Sequence, residues 1–127
     1  MRADTHRKDL KRAMELGGSE KGIFFIVDIV GKIDRLKDSI VLKSYVNTLM
    51  EKGRVAIALN LSRVTYLDSG ALNVFIYCHD ALTKKGGQLA LIEPSEYVKD
   101  VLEVVGLTKV VKIYPSQEDF NRALKTA

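Results

Sequence analysis

Three kinds of side chain in this sequence could carry chemistry: the Ser69 hydroxyl beside Asp68, the Cys78 thiol, and the imidazoles of His6 and His79. A hydrolytic Ser69 would need a base. His6 lies near the N-terminus, and His79 sits down the helix that Ser69 begins, roughly 15 Å away at about 1.5 Å of rise per residue, beyond the reach of a proton transfer. Asp68-Ser69-Gly70 is also no nucleophile elbow, because G-x-S-x-G is absent. One cysteine and two histidines supply neither an intramolecular disulfide nor a zinc-type ligand set. Cys78, among apolar neighbours, reads as a small buried hydrophobe, and His79 as a polar residue at the side of the core. No catalytic residue, metal or cofactor is therefore expected, and the chain is expected not to be an enzyme.

What remains is a hydroxyl at a junction. Val55 to Leu61 is an apolar, partly β-branched segment of strand length, followed by a loop from Ser62 to Tyr66 and then by a segment apolar at helical spacing. Asp68 and Ser69 thus stand before a helix, where side-chain oxygens meet the free N–H groups of the first turn and the positive end of the dipole. On the simplest view Ser69 is only an N-cap. In the helix itself, Leu72, Phe75, Ile76, His79 and Leu82 make one face and Val74, Tyr77, Cys78 and Ala81 an adjoining one. Such a helix is either the central packed helix or partly exposed to a partner, and its broad apolar surface leaves a homodimer open. Lys84-Lys85-Gly86-Gly87 stops it.

The other elements follow from periodicity and punctuation. Asp4-Thr5 could cap a short helix, but Arg12 to Leu16 could equally be a strand. The Gly-rich segment Gly17 to Gly22 lacks the P-loop spacing and precedes a strand, so it reads as a hairpin connection. Ile23 to Val30 is a strand apolar on both faces, closed by Gly31-Lys32-Ile33-Asp34. Asp34 or Asp38 can cap a helix with the stripe Leu42, Tyr45, Val46, Leu49 and Met50, ended by Gly53. Gln88 to Ile92 is a short buried strand. Pro94 and Ser95 open a helix with Val98, Val101, Leu102 and Val105 on its inner face, stopped by Gly106. Val110 to Tyr114 is a strand, and Ser116-Gln117-Glu118-Asp119 opens a last helix holding Phe120, Ala123 and Leu124. Alternating helix and strand after a hairpin-like start predict an α/β sandwich with a largely parallel sheet.

Composition narrows the function classes. With 127 residues, 46% hydrophobic, the chain holds enough apolar material for one core. The net charge of +4 comes from interspersed acids and bases, so it argues for solubility and against nucleic acid as partner. The five tyrosines are scattered and predict no stacking platform for single strands. No apolar run approaches the roughly 18 residues of a membrane span, and the N-terminus lacks the apolar core of a signal peptide. A reducing cytoplasm is the expected compartment.

Taken together and in order, the turn Gly31-Lys32-Ile33-Asp34, the strand Val55 to Leu61, the junction Tyr66 to Leu72, Lys84-Lys85-Gly86-Gly87 and Val104-Val105-Gly106-Leu107 resemble the STAS domain of bacterial anti-sigma factor antagonists. The resemblance runs from about Arg12 to Leu124. It implies a mixed sheet of four or five strands with about four helices, a first strand at Arg12 to Leu16, and one STAS-like domain over residues 12–127 behind an N-terminal extension, residues 1–11, expected to be mobile. It also implies a regulatory role without catalysis: the unphosphorylated domain sequesters an anti-sigma factor that is a serine kinase, and phosphorylation at the junction breaks the complex. Asp34, Thr65, Tyr66, Asp68, Ser69, Gly70 and Asn73 are then the partner-binding residues. Sporulation-type members carry Asp-Ser-Ser-Gly-Leu and phosphorylate the second Ser. Aligning Asp68 and Leu72 puts Gly70 there, without a hydroxyl. Stressosome-like members use the hydroxyl directly after the Asp, which makes Ser69 the candidate, ahead of Ser62 and Thr65. The alternative is a STAS-like module for a nucleotide or lipid, using the same helix N-terminus as an anion site or the apolar helix face as a groove.

Overall fold

The computed structural model describes residues 14–126, so the extension at residues 1–11 and the short helix weighed from Asp4-Thr5 lie outside the described residues. Five strands form one sheet in the order β1-β2-β3-β4-β5: β1 Glu15–Lys21, β2 Phe24–Ile33, β3 Ala56–Leu67, β4 Gln88–Ile92 and β5 Lys112–Tyr114. β1 is antiparallel to β2, and every later pairing is parallel. Four helices, α1 Leu36–Glu51, α2 Ser69–Lys84, α3 Glu96–Val104 and α4 Gln117–Thr126, connect and cover the strands. This is the mixed α/β sheet expected from the sequence.

The helices divide unequally between the two faces. Val27, Ile29, Ile57, Leu59 and Leu91 point to the main core, where α1 contributes Leu42 and Val46, α2 contributes Phe75, Cys78 and Leu82, and α3 contributes Val98 and Leu102. On the opposite face, among the described residues, Phe24, Ile26, Ala58, Ala90 and Ile92 are covered by one helix, α4, through Phe120 and the half-buried Leu124. Alternate residues of β2 and β3 are therefore apolar toward both sides, which is why those strands read as continuous apolar runs. α4 is capped twice. Ser116 Oγ accepts the Asp119 N–H at 3.0 Å, and the Glu93 carboxylate accepts the Gln117 N–H at 2.9 Å. Glu93 holds a φ of +51° to reach that position.

Several boundaries differ from the sequence expectation, each for a reason of tertiary context. The hairpin connection is only Gly22-Ile23, and Gly17 to Lys21 belong to β1, Glu15–Lys21, which includes Glu15 and Leu16 of the expected first strand; Arg12 and Ala13 lie outside the described residues. Pairing with Phe24 to Val30 supplies the backbone partners that two glycines and three polar residues would not attract by propensity. Gly22 takes the turn with a φ of +58°. Gly31-Lys32-Ile33 continue β2, and Ser62 to Leu67 continue β3 where a loop was expected: Val30 pairs with Arg63, Gly31 with Val64, Lys32 with Tyr66 and Ile33 with Leu67, across two register shifts. The cap of α1 comes from Asp38, whose carboxylate accepts the Arg35 N–H at 3.1 Å, while Asp34 stays exposed. Val105 is exposed rather than on the inner face of α3, and the last strand begins at Lys112, not Val110.

α2 is the central packed helix. Ala71, Leu72, Val74, Phe75, Cys78 and Leu82 are buried, and of its apolar stretch only Ile76 is substantially open, at 40%. Cys78 is fully enclosed, and burial pushes its thiol up from 9.0 to about 12. A thiol raised in the folded state relative to the unfolded chain leaves stability intact below the unfolded value and erodes it as pH rises from there toward 12. Urea midpoints are therefore expected to stay level from pH 7 to about 8.5 and fall above it. A thiol-specific disulfide reagent should label Cys78 rapidly in urea and only at the rate of unfolding in native buffer. Labelling of the native protein at the rate of a free thiol would contradict the packing.

Candidate functional site

The Asp68-Ser69 junction is built by the ends of β2 and β3. Leu67 is buried, and the Asp68 N–H donates to the Ile33 carbonyl at 3.0 Å, tying the last residue of β2 to the turn into α2. Asp68 is extended (φ −104°, ψ −175°), and its Oδ1 accepts the Ala71 N–H at 3.0 Å. That is the N-cap geometry. The cap is therefore Asp68, which overturns the expectation that Ser69 might serve only as one. Ser69 is the first residue of α2, exposed, and among the described residues its hydroxyl has no hydrogen-bond partner. Asp68→Ala is expected to cost about 1 kcal/mol of stability, whereas Ser69→Ala should change it by no more than a few tenths. Paired urea titrations check the contrast, and equal losses would mean that the Ser69 hydroxyl shares the cap.

Gly70 fits against a second helix end. A Cβ built there would stand 3.0 Å from Ser39 Oγ and 3.2 Å from Asp68 Oδ1. The buried Ser39 hydroxyl, from the first turn of α1, thus crowds the place where a side chain at position 70 would stand. The N-termini of α1 and α2 lie side by side as a result, with two positive dipole ends together. Arg35 clamps the buried Asp38 through its guanidinium (Nη2 to Oδ1, 3.0 Å), and that ion pair holds the arginine above its ordinary value.

The structure gathers the expected residues at one edge of the sheet, the edge where β2 and β3 end. Thr65, Tyr66 and Ser69 are exposed there, Asp68 and Gly70 are half-buried, Asp34 follows directly on Ile33, and Asn73 is exposed one turn beyond Ser69 on α2. Ser62, the other hydroxyl weighed, is exposed farther back on β3. His79 is half-buried in the second half of α2, so no imidazole approaches Ser69 along the helix. Among the described residues no three His, Cys, Asp or Glu side chains converge on a metal-sized site, and no helix is long and apolar enough to cross a membrane. The apolar face of α2, considered above as a ligand groove, is filled by the core. What the junction offers chemically is an unencumbered primary alcohol at the positive end of a helix.

Three features of this edge are missing from the sequence analysis. Leu36 and Ile40, one turn apart on α1, are 78% and 58% exposed. Their signal was available, since both fall off the inner stripe of Leu42, Val46 and Leu49. Tyr97 of α3 stacks on Tyr66 with centroids 6.0 Å apart and planes at 14°. Two of the tyrosines that are scattered in sequence are thus joined in space, and no local pattern could have shown it.

The sequence model of the STAS domain family matches residues 19–120, which include the whole junction. This chain belongs to the STAS domain family. The Bacillus subtilis anti-sigma-B factor antagonist is 32% identical over 92 residues, covering 72% of this chain and 83% of that relative. A Thermotoga maritima anti-sigma factor antagonist is 38% identical over 65 residues, 51% of this chain. The matched segment spans only 58% of that relative's length. The crystal structure of a Thermotoga maritima anti-sigma factor antagonist superposes with a TM-score of 0.79 at 25% identity, over 87% of this chain and 94% of that one. Residues 15–21 of this STAS domain form one edge strand of its sheet, and residues 68 and 69 open its central helix.

Proposed function

We propose that this STAS domain is an anti-sigma factor antagonist, a non-enzymatic cytoplasmic module that sequesters an anti-sigma factor and is released from it by phosphorylation of Ser69. In this reading residues 12–127 act as one unit, no cofactor takes part, and the partner is itself a serine kinase. One observation carries the reading: Asp68 alone caps α2, so Ser69 presents a free, exposed hydroxyl at the helix N-terminus. The names of the relatives support the partner class.

The chemistry is phosphoryl transfer. Ser69 Oγ attacks the γ-phosphorus of ATP held by the kinase, its proton passes to a base of the kinase, and ADP leaves. The product carries nearly two negative charges beside Asp68, on a surface where Leu36, Ile40, Tyr66 and Tyr97 offer apolar contact. The helix dipole and free N–H groups of α2 accept those charges locally, so the fold persists while the interface is lost.

The test is incubation of the purified domain with the cognate kinase and ATP, followed by intact mass measurement. One added phosphoryl group is expected on the parent and none on Ser69→Ala. Modification of Ser69→Ala at the parental rate would move the site to Ser62 or Thr65.

A further inference from the structure

Among the described residues, β1 has the longest uncovered strand edge of this sheet. Strand edges left open to solvent are normally blunted by a proline, a bulge, shortness, charged side chains or a covering element, since their free N–H and C=O groups can pair with another chain; of these β1 has only the charges of Glu15, Glu20 and Lys21. β1 has seven residues, contains no proline, and pairs with β2 without a register shift from Glu15↔Val30 to Lys21↔Phe24. Six of the seven are exposed, and among the described residues no strand pairs with the outer side. The edge strand on the other side, β5, is only three residues long and runs into Pro115.

The ends of β1, Glu15-Leu16-Gly17-Gly18-Ser19-Glu20-Lys21, are complementary in charge when two copies run antiparallel, while Leu16 faces Glu20, whose carboxylate is held by Arg54 of its own chain. Full overlap of two copies places the two-fold axis at Gly18 and sets Glu15 opposite Lys21 of the second copy, twice, on one face of the sheet. Gly17 then faces Ser19, and the axis falls on a residue with no side chain to obstruct close approach. Cross-strand pairs of opposite charge favour this register, and any shift of it leaves Glu15 and Lys21 without each other. A groove whose walls include Phe25, Val41 and Tyr45 flanks Gly18 on the α1 side of the sheet, and these apolar walls would be covered when the second copy arrives.

We propose that β1 is a self-association edge, joining two copies of this chain through an antiparallel β1–β1 pair into a continuous ten-stranded sheet. The interface is isologous, as a closed dimer requires. Antiparallel joining also points the two Ser69 junctions toward opposite ends of the dimer, so both stay open to a partner. This surface is distinct from the α2 face suggested by the sequence, which is buried in the core.

A charge swap tests it on the full chain. Sedimentation velocity over a concentration series is expected to show a monomer–dimer equilibrium. Glu15→Lys and Lys21→Glu should each weaken it about tenfold, because each change places like charges opposite one another at two symmetric pairs. The double variant E15K/K21E should restore the parental equilibrium. Both positions are exposed, and far-ultraviolet circular dichroism is the check that the variants fold. A parent that stays monomeric at the highest concentration would overturn the proposal. So would a dimer indifferent to the single changes, or one weakened by them and not rescued by the double. Dimerisation lost only when residues 1–13 are removed would assign the contact to that segment instead.

Discussion

Replacing Gly87 with alanine is expected to lower the unfolding free energy by about 3 kcal/mol, roughly a 10 °C fall in Tm for a domain of this size. Gly87 follows α2 at the point where the chain turns into β4. Its N–H donates to the Leu82 carbonyl at 2.8 Å, and the Gln88 N–H donates to the Val55 carbonyl at 2.9 Å. A methyl group at 87 would overlap that same Val55 carbonyl oxygen and press on the Val55 side chain. Neither neighbour can yield, because Val55 leads into β3 and Gln88 begins β4, so the strain enters the centre of the sheet. The adjacent Gly86 supplies the contrast. It holds a φ of +78° with open space where a Cβ would go, so alanine there costs only the left-handed conformation, about 1 kcal/mol. Urea unfolding of the two variants separates the cases; similar losses would mean that the close approach at Gly87 relaxes without consequence.

Ser69→Asp is expected to raise the Kd for the cognate anti-sigma factor by about 100-fold, near 3 kcal/mol, while leaving stability unchanged or a few tenths of a kcal/mol higher. The two effects have opposite signs for one reason. A carboxylate in the first turn of α2 meets the positive end of the helix dipole, which favours the folded chain. The same charge stands beside Asp68 on an exposed surface and must be stripped of water when a partner covers it. Isothermal calorimetry against the partner, read with thermal melts of the free variant, checks both halves. Unfolding of the variant would mean that Ser69 is structural, and an unchanged Kd would place the partner elsewhere on the domain.

Leu36 and Ile40 show why the proposed interface was only half legible. The stripe of α1 that faces the core follows from spacing alone, and the structure buries Leu42, Val46, Leu49 and Met50 as that spacing requires. An apolar residue off the stripe looks the same in sequence whether it is covered by another element or left for a partner. Tyr66 and Tyr97 make the same point across a longer separation, since they meet only because β3 and α3 pack together. The extension of β3 through Thr65 and Tyr66 was hidden because those side chains are exposed and polar enough to read as loop, while the pairing that makes them strand lies on β2.

By itself the sequence determined the order of elements, the stripes of the helices, their stop signals and the place of the strand-to-helix junction, together with the resemblance that put the chain in its family. These are consequences of local periodicity, backbone preference and capping chemistry, which act over a few residues. The tertiary structure decided which of two adjacent polar residues caps α2, leaving Ser69 free. It showed that Gly86 is there for its backbone angle and Gly87 for its closeness to Val55, and that the glycine-rich stretch before Gly22 is an edge strand rather than a turn. Each of those depends on an atom supplied from far along the chain, and no pattern within one segment can contain it.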